Sequence, residues 1–307
     1  MTIIPSKIVN IIGFPVDLGA GRRGVDMGPS AMRISQISER LSHLGYKIID
    51  DGNIHIEIIE RQSPGNPQLK YLDEILKRSK ILAEKVEACL NAGHFPLVLG
   101  GDHSMSIGSV SGISSYCKKN KLRLGVIWID AHADMNTAAT SPSGNIHGMP
   151  LAALLGLGDK SLTEFYGFAP KVKAEDCVVI GARSIDPLER KNIREIGLKV
   201  YTMAEVDKLG IHRIISRVLK QFKDTVDHIH ISFDVDSVDP AVAPGVGTPV
   251  PGGLSYRETH LLMESIAECG CMSSLEITEV NPILDHQNKT AMFAAEVVAS
   301  SMGQRIL

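Results

Sequence analysis

The chain has 307 residues, 44% hydrophobic and 22% charged, with a formal net charge of −3. That balance fits a globular protein with a full core. It gives no electrostatic case for a nucleic-acid partner, and no apolar run approaches the roughly 20 residues of a membrane span. Met1 to Val16 lacks an apolar segment followed by a small-residue cleavage site, so a cytoplasmic protein is expected. Of the five cysteines only Cys269 and Cys271 are close in sequence. All five are expected to be small apolar fillers, not a disulfide framework or a metal site.

In chain order, Ile8 to Phe14 reads as a strand and is followed by the Gly19–Gly24 segment. Glu60 to Pro67, with two prolines and a glycine, reads as a surface loop, and Gln68 to Asn91 as a long helix charged on one side. Short runs rich in valine and isoleucine then predict strands at Phe95–Leu99, Leu124–Ile129, Cys177–Ile180, Ile229–Phe233 and Leu275–Ile277. Helical patterns occupy Ile211–Phe222, Tyr256–Glu268 and Asn288–Met302. Strands alternating with helices imply a parallel sheet with helices packed on both faces. No repeat or linker interrupts the pattern, so residues 1–307 are expected to form one domain.

Ligands of open α/β sheets gather beyond the carboxyl ends of the strands, so the residues after each strand carry the functional information. Phe95–Leu99 is followed by GGDHS with His103, and Leu124–Ile129 by DAHAD with Asp130, His132 and Asp134. Ile229–Phe233 leads into DVDSVDP with Asp234, Asp236 and Asp239, and Leu275–Ile277 into TEVNP with Glu279. In an extended chain the i, i+2, i+4 spacing of Asp130, His132 and Asp134 puts all three on one side. A lone Asp at a strand end is usually a turn former, which is the reading for Asp239 before Pro240. Four carboxylates and two imidazoles on one rim are another matter, because their burial must be offset by positive charge. The set is too rich in oxygen for zinc alone and suits Mn²⁺, with Co²⁺ and Ni²⁺ as alternatives. Four ionised aspartates balance two divalent ions, and such a pair can hold a hydroxide at neutral pH. A dinuclear manganese hydrolase is the physical expectation.

These motifs, together with SGNIHG (Ser143 to Gly148) and EVNP (Glu279 to Pro282), resemble the arginase group of the ureohydrolase family, in order, from Gly13 to about Gly303. The resemblance implies a single-domain three-layer α/β sandwich around a mostly parallel eight-stranded sheet. It implies two Mn²⁺, one held by His103, Asp130, Asp134 and Asp234, the other by Asp130, His132, Asp234 and Asp236. It also implies L-arginine as substrate and a homo-oligomer, trimeric or hexameric. Hydrolysing a guanidinium needs a nucleophile, a counter-charge and a proton for the departing amine. Glu279 is expected to meet the cation, Asp134 to accept the nucleophile's proton and His147 to relay a proton to the leaving amine. For the α-carboxylate the loop 136–148 offers neutral donors, with Asn136 and Ser143 as direct contacts by resemblance and Asn145 through water. Asp186 and Glu189 in GARSIDPLE match positions that hold the α-ammonium, and Thr248 is expected near the guanidinium. Ser184 stands where some relatives carry another Asp. Agmatine, which has no carboxylate, is the competing substrate, and a non-catalytic metal-binding relative is the competing class.

Gly19-Ala20-Gly21-Arg22-Arg23-Gly24 satisfies G-x-G-x-x-G, the dinucleotide fingerprint. Its register argues against that use. Four residues separate the strand from the first glycine, and the helix begins only near Pro29. The segment is expected to be a loop on the sheet's rim. His228 and His230 are expected to be hydrogen-bonded beneath the site, and the remaining histidines to be surface or satisfied residues.

Overall fold

The computed structural model describes residues 6–305. Eight strands form one sheet: β1 Ile8–Phe14, β2 Lys47–Asn53, β3 Phe95–Gly100, β4 Leu124–Ile129, β5 Cys177–Ala182, β6 Lys199–Thr202, β7 His228–Asp234 and β8 Met272–Thr278. Their order is β2-β1-β3-β8-β7-β4-β5-β6, and every pairing is parallel. The helices are α1 Gly28–Ile34, α2 Ile37–His43, α3 Leu72–Asn91, α4 Ser106–Lys119, α5 Pro150–Leu154, α6 Lys160–Thr163, α7 Pro187–Ile196, α8 Met203–Leu209, α9 Ile211–Thr225, α10 Tyr256–Cys269 and α11 Lys289–Ser301.

Strand periodicity separates two cores, one on each face of the sheet. Ile127, Ile129, Ile229, Ile231 and Phe233 pack with α9, α10 and α11 on one side. Val126, Trp128, Val179 and Val98 pack with α3, α4 and α5 on the other. Helix α9 shows why its segment folds as it does. Ile211, Ile214, Ile215, Val218, Leu219 and Phe222 are its buried residues, a spacing that makes one continuous apolar stripe. Among the described residues no helix is long and apolar enough to cross a membrane.

The six expected strands are present, and β2 and β6 are additional. Both are edge strands, β2 largely polar and exposed and β6 only four residues long and partly buried, so neither carries a buried-strand signal. Asp50 and Asp51 lie inside β2. The expectation for the cysteines fails at one pair: Cys269 and Cys271 are disulfide-bonded. Gly270, at φ 63°, ends α10 and turns the chain, which brings the flanking Cα atoms to 5.2 Å. Cys89, Cys117 and Cys177 are free and buried, as expected.

Candidate metal centre

The four strand ends singled out by their acids and histidines belong to the adjacent strands β3, β8, β7 and β4 at the middle of the sheet. Their side chains therefore meet on one rim. His103 Nδ1 lies 3.2 Å from Asp130 Oδ2, 3.0 Å from Asp134 Oδ2 and 3.1 Å from Asp234 Oδ2. Beside it, His132 Nδ1 lies 3.4 Å from Asp130 Oδ1 and 3.1 Å from Asp236 Oδ2. Asp130 thus belongs to both groups, one oxygen to each. His103–Asp130–Asp134 and Asp130–His132–Asp236 each have the geometry of a metal-binding cluster. Asp234 approaches the first group through Oδ2, while its Oδ1 accepts the Asp236 backbone N–H at 2.7 Å.

Two observations test whether divalent cations fit here. His103 Nδ1 and Asp134 Oδ2 are buried and make no hydrogen bond, although they lie 3.0 Å apart. With Asp130 they offer a compact group of potential ligand atoms, as ligands of one ion do. The second test is electrostatic. Burial, then the charge of Asp130, raises the Asp134 carboxyl to about 7. Burial, then Asp236 and Asp130, pushes Asp234 well above the ordinary range. Two imidazoles cannot balance four buried carboxylates, so the set ionises fully only with added positive charge.

Supporting contacts fix the candidate ligands. Ser232 Oγ lies 2.8 Å from His103 Nε2, leaving Nδ1 for the centre. Trp128 stacks on His103 at 4.1 Å between ring centroids and donates its indole N–H to Asp130 Oδ2 at 2.9 Å. Thr248 Oγ1 donates to Asp236 Oδ2 at 2.8 Å. Buried Asp102 accepts the Gly19 N–H at 2.8 Å and the Ser104 N–H at 3.0 Å, pinning the glycine loop to the GGDHS turn. The Gly19 carbonyl then accepts the His147 N–H at 3.1 Å. The glycine segment is the rim loop expected of it, and it positions His147. Ser232, Trp128 and Asp102 were not among the expected site residues. The period-2 offset of Ser232 from Asp234 and of Trp128 from Asp130 was the available signal.

His147 and Glu279 face the centre together. Glu279 Oε1 accepts the His103 backbone N–H and lies beside His147 Nδ1, both at 3.1 Å, while Oε2 is buried without a partner. Burial draws His147 down, but Glu279, Asp102 and Asp134 outweigh it and hold the imidazolium up to about 9. Glu279 sits at φ 65° and Asp134 at φ 50°, left-handed backbone that is uncommon outside glycine and concentrates at functional sites.

The expected substrate contacts are only partly gathered. Asn136, Ser184, Asp186, Glu189, Thr248 and Glu279 line the same cleft as the clusters. Asn136 Nδ2 donates to Asp186 Oδ2 at 3.2 Å, tying together the residues expected at the α-carboxylate and the α-ammonium. Both Glu189 oxygens accept backbone N–H groups, from Met135 and Asp186, each at 3.0 Å. Glu189 thus completes a capping box at the start of α7. Asn145 lines an adjoining groove with Gly21 and Arg22 and accepts from Lys70 Nζ at 3.3 Å. Ser143 is exposed on the rim loop, where its hydroxyl accepts the Asn145 N–H at 3.2 Å, and it is not in the cleft wall. Beneath the centre His228 and His230 both reach Ser274, at 3.0 and 2.9 Å, as expected.

An all-parallel α/β sheet with carboxylate–imidazole clusters at its carboxyl rim defines a metal-dependent enzyme of the open-sheet class. The Arginase family model matches residues 7–303, and the chain belongs to that family. It is therefore a hydrolase of guanidino carbon–nitrogen bonds. An arginase of Bacillus caldovelox is 51% identical over 302 residues, covering 98% of this chain and 100% of the relative. The native structure of that arginase superposes with a TM-score of 0.94. An arginase of Bacillus subtilis (strain 168) is 51% identical over 301 residues, with 98% and 99% coverage. The structure of an Entamoeba histolytica arginase in complex with L-ornithine, 31% identical, matches with a TM-score of 0.90 and coverage of 98% and 100%.

Proposed function

We propose that this chain carries out the arginase reaction, hydrolysing L-arginine to L-ornithine and urea, with two Mn²⁺ per chain. The observation that carries this reading is the sharing of Asp130 between two adjoining groups of ligand atoms at the sheet's central rim. His103, Asp130, Asp134 and Asp234 would hold one ion, and Asp130, His132, Asp234 and Asp236 the other. When bound, such a pair supplies a water of lowered pKa as nucleophile at neutral pH.

The chain's own groups do the rest. The free Oε2 of Glu279 pairs with the guanidinium and orients its carbon towards the clusters. Asp134 takes the proton that the attacking water gives up. As the bond from the guanidino carbon to the substrate chain breaks, the nitrogen left on ornithine needs a proton. His147, protonated and half-buried, is placed to deliver it and to reload from solvent. Asn136 provides a neutral donor for the α-carboxylate, with Ser143 and Asn145 on the rim loop beyond it. Asp186 offers the negative charge for the α-ammonium, and Glu189 holds the helix start on which Asp186 sits.

Urea release from L-arginine and from agmatine by the manganese-loaded protein tests the reading. Fast release from arginine with far slower release from agmatine is expected. Equal or faster turnover of agmatine would overturn the assignment of Asn136 and Ser143. A cytoplasmic homo-oligomer formed from single-domain chains (residues 1–307) belongs to the same reading.

A further inference from the structure

At the opposite rim, where β4 and β5 begin, the end of α4 and the segment before β5 frame an open cavity of about 440 Å³. Five cations line it (Lys118, Lys121, Arg123, Lys171 and Lys173) against one carboxylate, Asp176. Arg123 is already paired. It holds Asp176 through two hydrogen bonds of 2.7 and 2.8 Å and reaches Glu175 at 2.6 Å. Lys173 lies 3.9 Å from Glu175. Among the described residues no carboxylate comes within 4.0 Å of Lys118, Lys121 or Lys171.

The placement of these three lysines is specific. The ammonium groups of Lys118 and Lys171 lie 4.2 and 4.6 Å from the centroid of one ring, Phe168. Lys171 is only 5% exposed and donates to the backbone carbonyls of Thr163 and Phe168. An ammonium carries three donors, and among the described residues Lys171 finds two carbonyl acceptors for them. Burial, and then Lys118, draw Lys171 down to about 8, as expected for two cations crowded without a counter-ion. Three cations without a carboxylate partner among the described residues call for more than a single negative charge, and a phosphate group carries about −1.5 to −2 near neutral pH.

We propose that this cavity binds a phosphate group, with Lys118, Lys121 and Lys171 as its cationic contacts. The site lies a full strand length from the metal clusters. Helix α4 spans the distance between them, starting just after His103 and ending at Lys119. Free inorganic phosphate and the phosphoryl group of a small metabolite share the required chemistry.

Equilibrium dialysis of the manganese-loaded protein tests this, with radiolabelled inorganic phosphate as one probe and a labelled nucleoside monophosphate as the other. Saturable binding of one equivalent per chain is expected for at least one probe. It should weaken at least tenfold in Lys171→Gln and in the exposed pair Lys118→Ser/Lys121→Ser, with urea release unchanged in the exposed pair. Tighter binding of the nucleotide would assign the organic source, and tighter binding of phosphate the free ion. No saturable binding of either probe would overturn the proposal. So would binding of equal strength in the exposed-pair variant, which would place the anion elsewhere, the metal centre included.

Discussion

Asp130 and Asp234 show what single residues contribute. Each is buried among other carboxylates, so each is tolerable only while cations offset the repulsion. Asp130→Asn and Asp234→Asn are expected to lose bound manganese and urea release together, measured by metal analysis and assay on the same preparation. Unchanged metal content in both would refute their shared-ligand role. His147→Ala should keep its metal and lose activity by about 10²-fold or more. Its pH profile supplies the sign. The imidazolium is the proton donor, so wild-type activity falls as pH rises through the His147 pKa, which is about 9 without metal and lower beside bound dications. That alkaline limb should be missing in His147→Ala. The six candidate ligands were legible as a cluster because they stand in short motifs at strand ends. Ser143 was less so: the orientation of a hydroxyl in an exposed loop depends on how that loop closes, as the Ser143–Asn145 contact illustrates.

Helix α4 shows why some elements were not legible. Its sequence, SIGSVSGISSYCKK, has an apolar stripe of only Ile107, Val110, Ile113 and Cys117 among serines and glycines, because almost every face is buried, between the sheet on one side and α3 and α5 on the others. Three of its serines are satisfied internally: Ser106 and Ser109 donate to the buried Glu276 carboxylate, and Ser114 to the Lys171 carbonyl. Its glycines permit close approach to α3. A Cβ at Gly112 would meet the Ala83 carbonyl oxygen at 2.4 Å, and one at Gly108 the Ser79 carbonyl oxygen at 2.8 Å. Gly112→Val is therefore expected to destabilise the protein by about 1–3 kcal/mol or more, read from denaturant midpoints. A neutral result would mean that the α3–α4 contact is looser than described. Strands β7 and β8 were legible in their apolar positions, but their polar face, His228, His230, Ser232, Ser274 and Glu276, makes sense only once α4 covers it.

At the scale of the whole molecule, that buried polar layer sets the response to acid. Burial, and then the neighbouring His230, lower His228 from 6.5 to about 3, so the fold holds it neutral. Between those values the unfolded chain binds the extra proton, and stability falls as pH drops from 6.5. Glu276 adds a loss of the same sign lower down. Burial opposes its ionisation, but His230, His103 and the Ser106 hydroxyl bring it from 4.5 to about 2. The His228 contribution is at most about 5 kcal/mol over its whole window. Denaturation of metal-free protein at pH 7 and pH 5 should show a smaller loss for His228→Gln than for wild type, and equal losses would contradict the account. The overall architecture was legible because alternating strands and helices admit few arrangements. The neighbour relations β3-β8-β7-β4 were not, since strand order depends on long-range pairing that no local pattern encodes.

All of this turns on distant carboxylates and imidazoles meeting around two cations. Anomalous diffraction at the manganese edge, from crystals of the manganese-loaded protein, measures that most directly. The account predicts two peaks about 3.5–4 Å apart, one beside His103 Nδ1 and one beside His132 Nδ1, with Asp130 between them. A single peak, or two peaks with Asp130 touching neither, would contradict it.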